Sequence, residues 1–175
     1  MIICRNNAPL FRVALEFLRA RVPCHIVSDF PQDLIRLIDR MGVQKSADLR
    51  VKLEMWRDKE IEKLERLHRD HLIEGVLDKV NSLLPFCDEY PYAMQVKQAI
   101  KTLTESSSGP RLSSIHKAKG LEAEHVYIVR PDLMPSQRAI DALRAGNEAP
   151  LQQEENLQYV AITRAKLFLH YLPRG

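Results

Sequence analysis

The sequence predicts an α/β fold, a mostly parallel sheet flanked by helices and interrupted by a helical insertion. Three observations carry that prediction. Short apolar runs at Ile2–Ile3, Cys24–Val27, Leu112–Ile115 and Val126–Val129 alternate with stretches whose apolar residues recur at helical spacing. Val126-Tyr127-Ile128-Val129 has no charged position, which suits a strand covered on both faces and hence a parallel sheet. Between the two α/β parts lies a stretch poor in glycine and proline and dense in charge. Residues 1–46 and 104–175 are therefore expected to form the α/β unit, and residues 47–103 the insertion.

Taken in order, Ile2 and Ile3 open a strand that ends at Arg5. Asn6-Asn7-Ala8-Pro9 then offers an Asn cap and an early proline, the chemistry of a helix start. Leu10, Ala14, Phe17 and Leu18 give that helix one apolar face, and Arg21-Val22-Pro23 breaks it. A second short strand covers Cys24–Val27, and a helix from about Pro31 to Met41 stops at Gly42. In the insertion, Leu49, Leu53, Trp56, Leu64, Leu67, Val76, Val80 and Leu83 form an interrupted stripe. It reads as one long helix with a break near Gly75. Another helix spans about Tyr92 to Leu103, and Ser106-Ser107-Ser108-Gly109-Pro110 is a linker. Strands follow at Leu112–Ile115 and Val126–Val129, surface helix or loop at 135–150, a helix at Glu154–Thr163, and a last strand at Leu167–Tyr171.

Composition excludes several classes. With 175 residues, 45% hydrophobic and 28% charged, the chain can build and solubilise a core. No run reaches the roughly 18 apolar residues of a membrane span, and the N-terminus lacks a signal-peptide layout, so a cytoplasmic location is expected. Cys4, Cys24 and Cys87 make no C-x-x-C pair, which argues against a zinc ribbon or a disulfide framework. His68 and His71 stand three apart without a third ligand, so no metal site is expected. A formal charge of +3 selects no partner. The chain also contains no G-x-x-x-x-G-K-[ST], and so has no phosphate-cradling loop of its own.

Three stretches carry chemistry. In Ile3-Cys4-Arg5-Asn6-Asn7 an arginine stands where a strand gives way to a helix; it faces either a crevice or plain solvent. Ser114-Ile115-His116-Lys117-Ala118-Lys119-Gly120-Leu121-Glu122 gathers a hydroxyl, an imidazole, two lysines, a glycine and a carboxylate. Such groups contact phosphates and sugars, or make an ordinary basic turn. Glu154-Glu155-Asn156-Leu157-Gln158-Tyr159-Val160-Ala161-Ile162-Thr163-Arg164 is a helix whose closing arginine suits either a ligand or the helix C-terminus.

Together and in this order, the three stretches resemble motifs IV, V and VI of the second motor domain (2A) of UvrD/Rep-like superfamily 1 DNA helicases. The resemblance covers about 100 residues and implies a RecA-like fold. It further implies an ATP site shared with a separate N-terminal RecA-like motor domain that carries the P-loop and the Mg²⁺ ligands. In that scheme Arg5 and Arg164 are arginine fingers toward the γ-phosphate. Gly120 and Glu122 approach the nucleotide, and Ser114 and His116 face single-stranded DNA. The chain alone, lacking Walker A and Walker B, is expected to be inactive. The insertion occupies the place of the family's 2B domain in reduced form. The sequence departs from the family at Cys4, where an aromatic residue often stacks on adenine, and at Asn156-Leu157, where two arginines are common. A non-catalytic single-stranded-DNA-binding or regulatory module is the alternative reading.

Overall fold

The structure, a computed structural model, describes residues 1–173. Its strands are β1 (Ile2–Cys4), β2 (His25–Ile26), β3 (Arg111–Ser114), β4 (Ala123–Val129) and β5 (Ala165–Leu172). They form one sheet in the order β2-β3-β1-β4-β5, and every pairing is parallel. The expected mostly parallel α/β sheet with an inserted helical region is therefore present. Successive side chains of a strand point to opposite faces, so Ile2 and Cys4 enter one apolar cluster and Ile3 the other. Helices α1 (Asn7–Arg19) and α2 (Phe30–Met41) contribute to the first cluster. The second lies under the turns that follow β3 and under a helix near the C-terminus. Both faces are covered, which is why β1 is buried at all three positions.

The inserted segment is made of α3 (Ser46–Arg66), α4 (Ile73–Glu89) and α5 (Ala93–Glu105). An antiparallel bridge between Lys45 and Tyr92 closes its neck. There the Ser46 amide donates to Pro91 at 3.0 Å and the Ala93 amide to Gln44 at 2.8 Å. Leu49 and Leu53 of α3, Val80, Leu83 and Phe86 of α4, and Val96 and Ile100 of α5 are fully buried. They share one cluster with Leu10, Phe11 and Leu112, so these helices and the sheet have a common core. Gly109 in the 106–110 linker has φ +80°, and a Cβ there would fall 1.8 Å from the Pro23 carbonyl. Only glycine fits that close crossing.

The helical stretch is interrupted at 67–72, not at Gly75. His68 adopts φ +52° and a short 3-10 turn spans Asp70–Leu72. Gly75 lies in the first turn of α4, where the burial of Val76 and Val80 outweighs its weak helix preference. For the same reason α4 runs through Pro85 to Glu89: the fully buried Phe86 packs on Phe11. In the C-terminal part, α6 (Gln137–Arg144) is followed by α7 (Ala149–Ile162), which starts five residues before Glu154. Strands β4 and β5 extend past the apolar runs because pairing continues through their charged ends.

Candidate functional site

At the carboxyl edge of the sheet, β1 and β3 end side by side, with Cys4 paired to Ser114 and the Ile115 amide donating to the Cys4 carbonyl at 2.9 Å. The next residues outward are Arg5 and His116. The Arg5 side chain is only 12% exposed. It donates to Glu154 from Nε at 2.9–3.0 Å and from Nη2 at 2.6 Å, and from Nη1 to Asn6 Oδ1 at 2.8 Å. Nη1 also pairs with Glu74. Ser114 is buried; its carbonyl accepts from the amides of Lys117 and Ala118 at 3.0 and 2.9 Å and so shapes the following turn. His116 follows two positions on, exposed to solvent but with its ring partly desolvated. Cys4 is wholly buried, and its thiol is pushed up to about 11, chiefly by that burial. It packs the core and presents nothing to a nucleobase.

A second group of residues lies at the amino edge. The turns 115–122 carry the chain there from the top of β3 to the start of β4. Gly120, at φ +85°, makes the last reversal. Glu122 is exposed and pairs with Lys166 at 3.4 Å. Arg164 closes α7: Nε donates to the Val160 carbonyl at 2.9 Å, Nη1 to the Leu121 carbonyl at 3.0 Å, and Nη2 to Thr163 Oγ1 at 2.9 Å. The side chain thus caps the helix C-terminus and holds the turn that carries Gly120 and Glu122. A guanidinium has five N–H donors, and these contacts leave others free for an incoming anion.

The structure brings Arg5 together with Ser114 and His116, and Arg164 together with Gly120 and Glu122. It does not bring Arg5 and Arg164 together. Ala123 is level with Ala165 in the register, while Ile128 is level with Ile3. The edges are therefore separated by most of β4, about 20 Å at the rise of a strand. Helix α7 spans the same gap, with Glu154 near the Arg5 end and Thr163 at the other.

Glu154 and His116 give the carboxyl edge an acid sensitivity with a defined sign. Burial pushes the Glu154 carboxyl up, but hydrogen bonds from Arg5 and Ser136 and the Arg5 charge outweigh it, leaving it below the ordinary value. His116 is held below its ordinary value by desolvation first and the Arg5 charge second. In both cases the unfolded chain binds more protons, so stability falls as pH falls. For His116 the loss begins below about 6.5, and for Glu154 below about 4.5. Melting temperature measured against pH at constant ionic strength is expected to drop in two stages. His116→Gln should remove the upper stage only; an unchanged upper stage in that variant would contradict the assignment.

Sequence reasoning placed Glu154 only in an acidic first turn, and it overlooked Glu74 altogether. Neither carries a local signal of its role, because each meets Arg5 only in the fold. Among the described residues, no cluster of three or more His, Cys, Asp or Glu side chains is placed to hold a metal ion. No helix among them is long and apolar enough to cross a membrane.

Comparison with known proteins decides the family. The model of the UvrD-like helicase C-terminal domain matches residues 43–172, well over half the chain. The chain belongs to that family. It is also similar to YjcD of Bacillus subtilis, named as an ATP-dependent DNA helicase, with 41% identity over 64 residues. That alignment covers 35% of this chain and 8% of the relative. A second relative, the F-box DNA helicase protein 1 of Schizosaccharomyces pombe, is 34% identical over 70 residues, 40% of this chain and 8% of that protein. The chain thus aligns with less than a tenth of the length of either relative. UvrD-like C-terminal domains pair with an N-terminal motor domain, act on single-stranded DNA and belong to helicases that use ATP with Mg²⁺. The matched region contains the whole 114–122 loop and the Arg164 helix, whereas Arg5 lies outside it.

Proposed function

We propose that this chain is the C-terminal motor region of an ATP-dependent single-stranded-DNA translocase or helicase, working in the cytoplasm with a P-loop motor domain in cis or in trans. The observation that carries this reading is one loop, residues 115–122, joining two separated groups of polar residues at opposite edges of the sheet. At the amino edge, Arg164 would meet the γ-phosphate and Glu122 the nucleotide sugar, with Gly120 allowing close approach. The Mg²⁺ ligands would come from the P-loop domain. At the carboxyl edge, Ser114 and His116 would face the DNA strand. A shift of the loop on ATP binding at one edge would then be felt at the other.

The test is reconstitution. The chain alone, with single-stranded DNA and Mg²⁺, is expected to hydrolyse no ATP. Mixed with or fused to a UvrD-like P-loop motor domain, it should support hydrolysis that depends on single-stranded DNA. Turnover by the isolated chain, or a folded pair that stays inactive with DNA, would refute the proposal.

A further inference from the structure

Strand β5 is the outermost strand among the described residues, and its free edge runs along Ala165–Leu172. Leu167, Phe168, Tyr171 and Leu172 on it are 42–65% exposed. An apolar edge of that length is normally paired or covered, because its open amides and carbonyls recruit another strand. The sheet face beside it is equally bare. Register sets His125 level with Phe168, Tyr127 with His170 and Val129 with Leu172, all on the face that carries Ile2. The rings make a continuous floor: the centroids of His125 and Phe168 are 4.8 Å apart, and those of Tyr127 and His170 4.5 Å. On this face α1 lies over β1 and β3 and α5 over β2, yet His125 and Phe168 remain exposed. Helix α7 covers β4 from the opposite side, with Leu157 and Ala161 in the cluster of Val126 and Ile128.

Chain direction defines the shape that fits. Crossovers between parallel strands are right-handed almost without exception. The crossover from β1 through α1 moves toward β2 and passes over the ring-bearing face. The one from β4 through α7 moves the other way and passes over the opposite face. A strand paired outside β5 and continuing into β1 moves toward β2, so its helix must cross on the ring-bearing face. That is the face left bare over β4 and β5. Such a helix enters at the carboxyl edge beside α1, where Val13, Leu77, Leu133 and Leu172 line a cavity of about 760 Å³. It leaves at the amino edge, where the Met1 nitrogen donates to the His125 carbonyl at 2.8 Å. Arg12 and Arg130 at the entrance favour acidic residues in the first turn of that helix, as does the helix dipole.

We propose that the free edge of β5 and this ring-lined face dock one strand–helix unit, supplied by the polypeptide that leads from the P-loop motor domain into β1. The donor rests on the motor reading above. The strand extends the parallel sheet by about eight residues, and the returning helix covers the rings with about 15. The connection is then no loose tether, and a movement of the motor domain reaches β1 through a packed helix.

Amide hydrogen exchange read by mass spectrometry tests this on the 175-residue chain and on a chain extended by the roughly 40 residues encoded upstream of Ile2. Those residues are expected to read as an apolar strand followed by an amphipathic helix with an acidic first turn. In the extended chain the β5 peptide should exchange at least about 10-fold more slowly than in the shorter one. Phe168→Asp, which sets a charge under the helix, should abolish that protection. Because Phe168 is exposed in the shorter chain, the same substitution there should leave Trp56 fluorescence and melting temperature nearly unchanged. Equal exchange in the two chains, protection that survives Phe168→Asp, or upstream residues without that pattern would each overturn the docking. So would protection of β5 in the shorter chain by an oligodeoxythymidylate or by rising protein concentration, which would assign the face to DNA or to a second copy. An inactive reconstituted pair, with β5 protected in the extended chain, removes the motor reading and leaves the docked unit in place.

Discussion

Phe86→Ala is expected to cost the whole chain about 3–5 kcal/mol, lost in one cooperative transition. Phe86 is fully buried on α4, with its ring centroid 6.1 Å from that of Phe11 on α1. Phe11 in turn lies 5.7 Å from Phe30 on α2. Truncating Phe86 removes the transfer free energy of an aromatic ring and leaves a void between the inserted hairpin and the helix that covers the sheet. Neighbours held by their own backbones collapse into such a void only in part. Urea unfolding followed by far-UV circular dichroism reports all helices, and Trp56 fluorescence reports α3. The two curves should coincide and shift together. A Trp56 transition that separates from the rest would show that the hairpin has its own core, contrary to the shared cluster seen here.

The second large effect concerns Arg164. In the reconstituted motor, Arg164→Ala should lower the DNA-stimulated turnover number by about 10³-fold or more, as loss of a phosphoryl-stabilising arginine does. The same variant should lose about 1–2 kcal/mol of stability, because it also removes hydrogen bonds to the Val160 and Leu121 carbonyls. Arg164→Lys is not expected to rescue turnover, since one ammonium cannot hold those carbonyls and address a phosphate together. Turnover in Arg164→Ala within about tenfold of wild type would remove Arg164 from the nucleotide site.

Much of the fold is written in local pattern. Ile2–Ile3 and Val126–Val129 read as strands because burial on both faces demands apolar side chains at successive positions. Leu10, Ala14 and Phe17 read as a helix because a single buried face repeats every three to four residues. The break in the inserted helices was not legible, because glycine is the strongest local signal, and packing against α1 overrides it at Gly75. Pro85 likewise lies inside α4, with the buried Phe86 holding the helix beyond it. The residues around Arg5 were least legible of all. Glu74 lies 69 positions away and Glu154 lies 149 away, and in a charged helix either looks like a solvated side chain.

Residue order and type alone were enough to establish the α/β alternation, the absence of a P-loop motif, and the three stretches that resemble helicase motifs. Each of these is a property of short segments, or of the presence or absence of a chemical group. The grouping of those residues is a different kind of quantity. Strand register puts about 20 Å between the backbones of Arg5 and Arg164. The crossing of α4 over the β1–α1 turn then sets two carboxylates of the insertion, Glu74 and Asp78, on Arg5, Asn6 and the first amides of α1. Those distances arise from long-range pairing and packing, which no local period encodes. Resemblance assigned Arg5 and Arg164 one role, and the folded sheet starts their side chains from opposite edges.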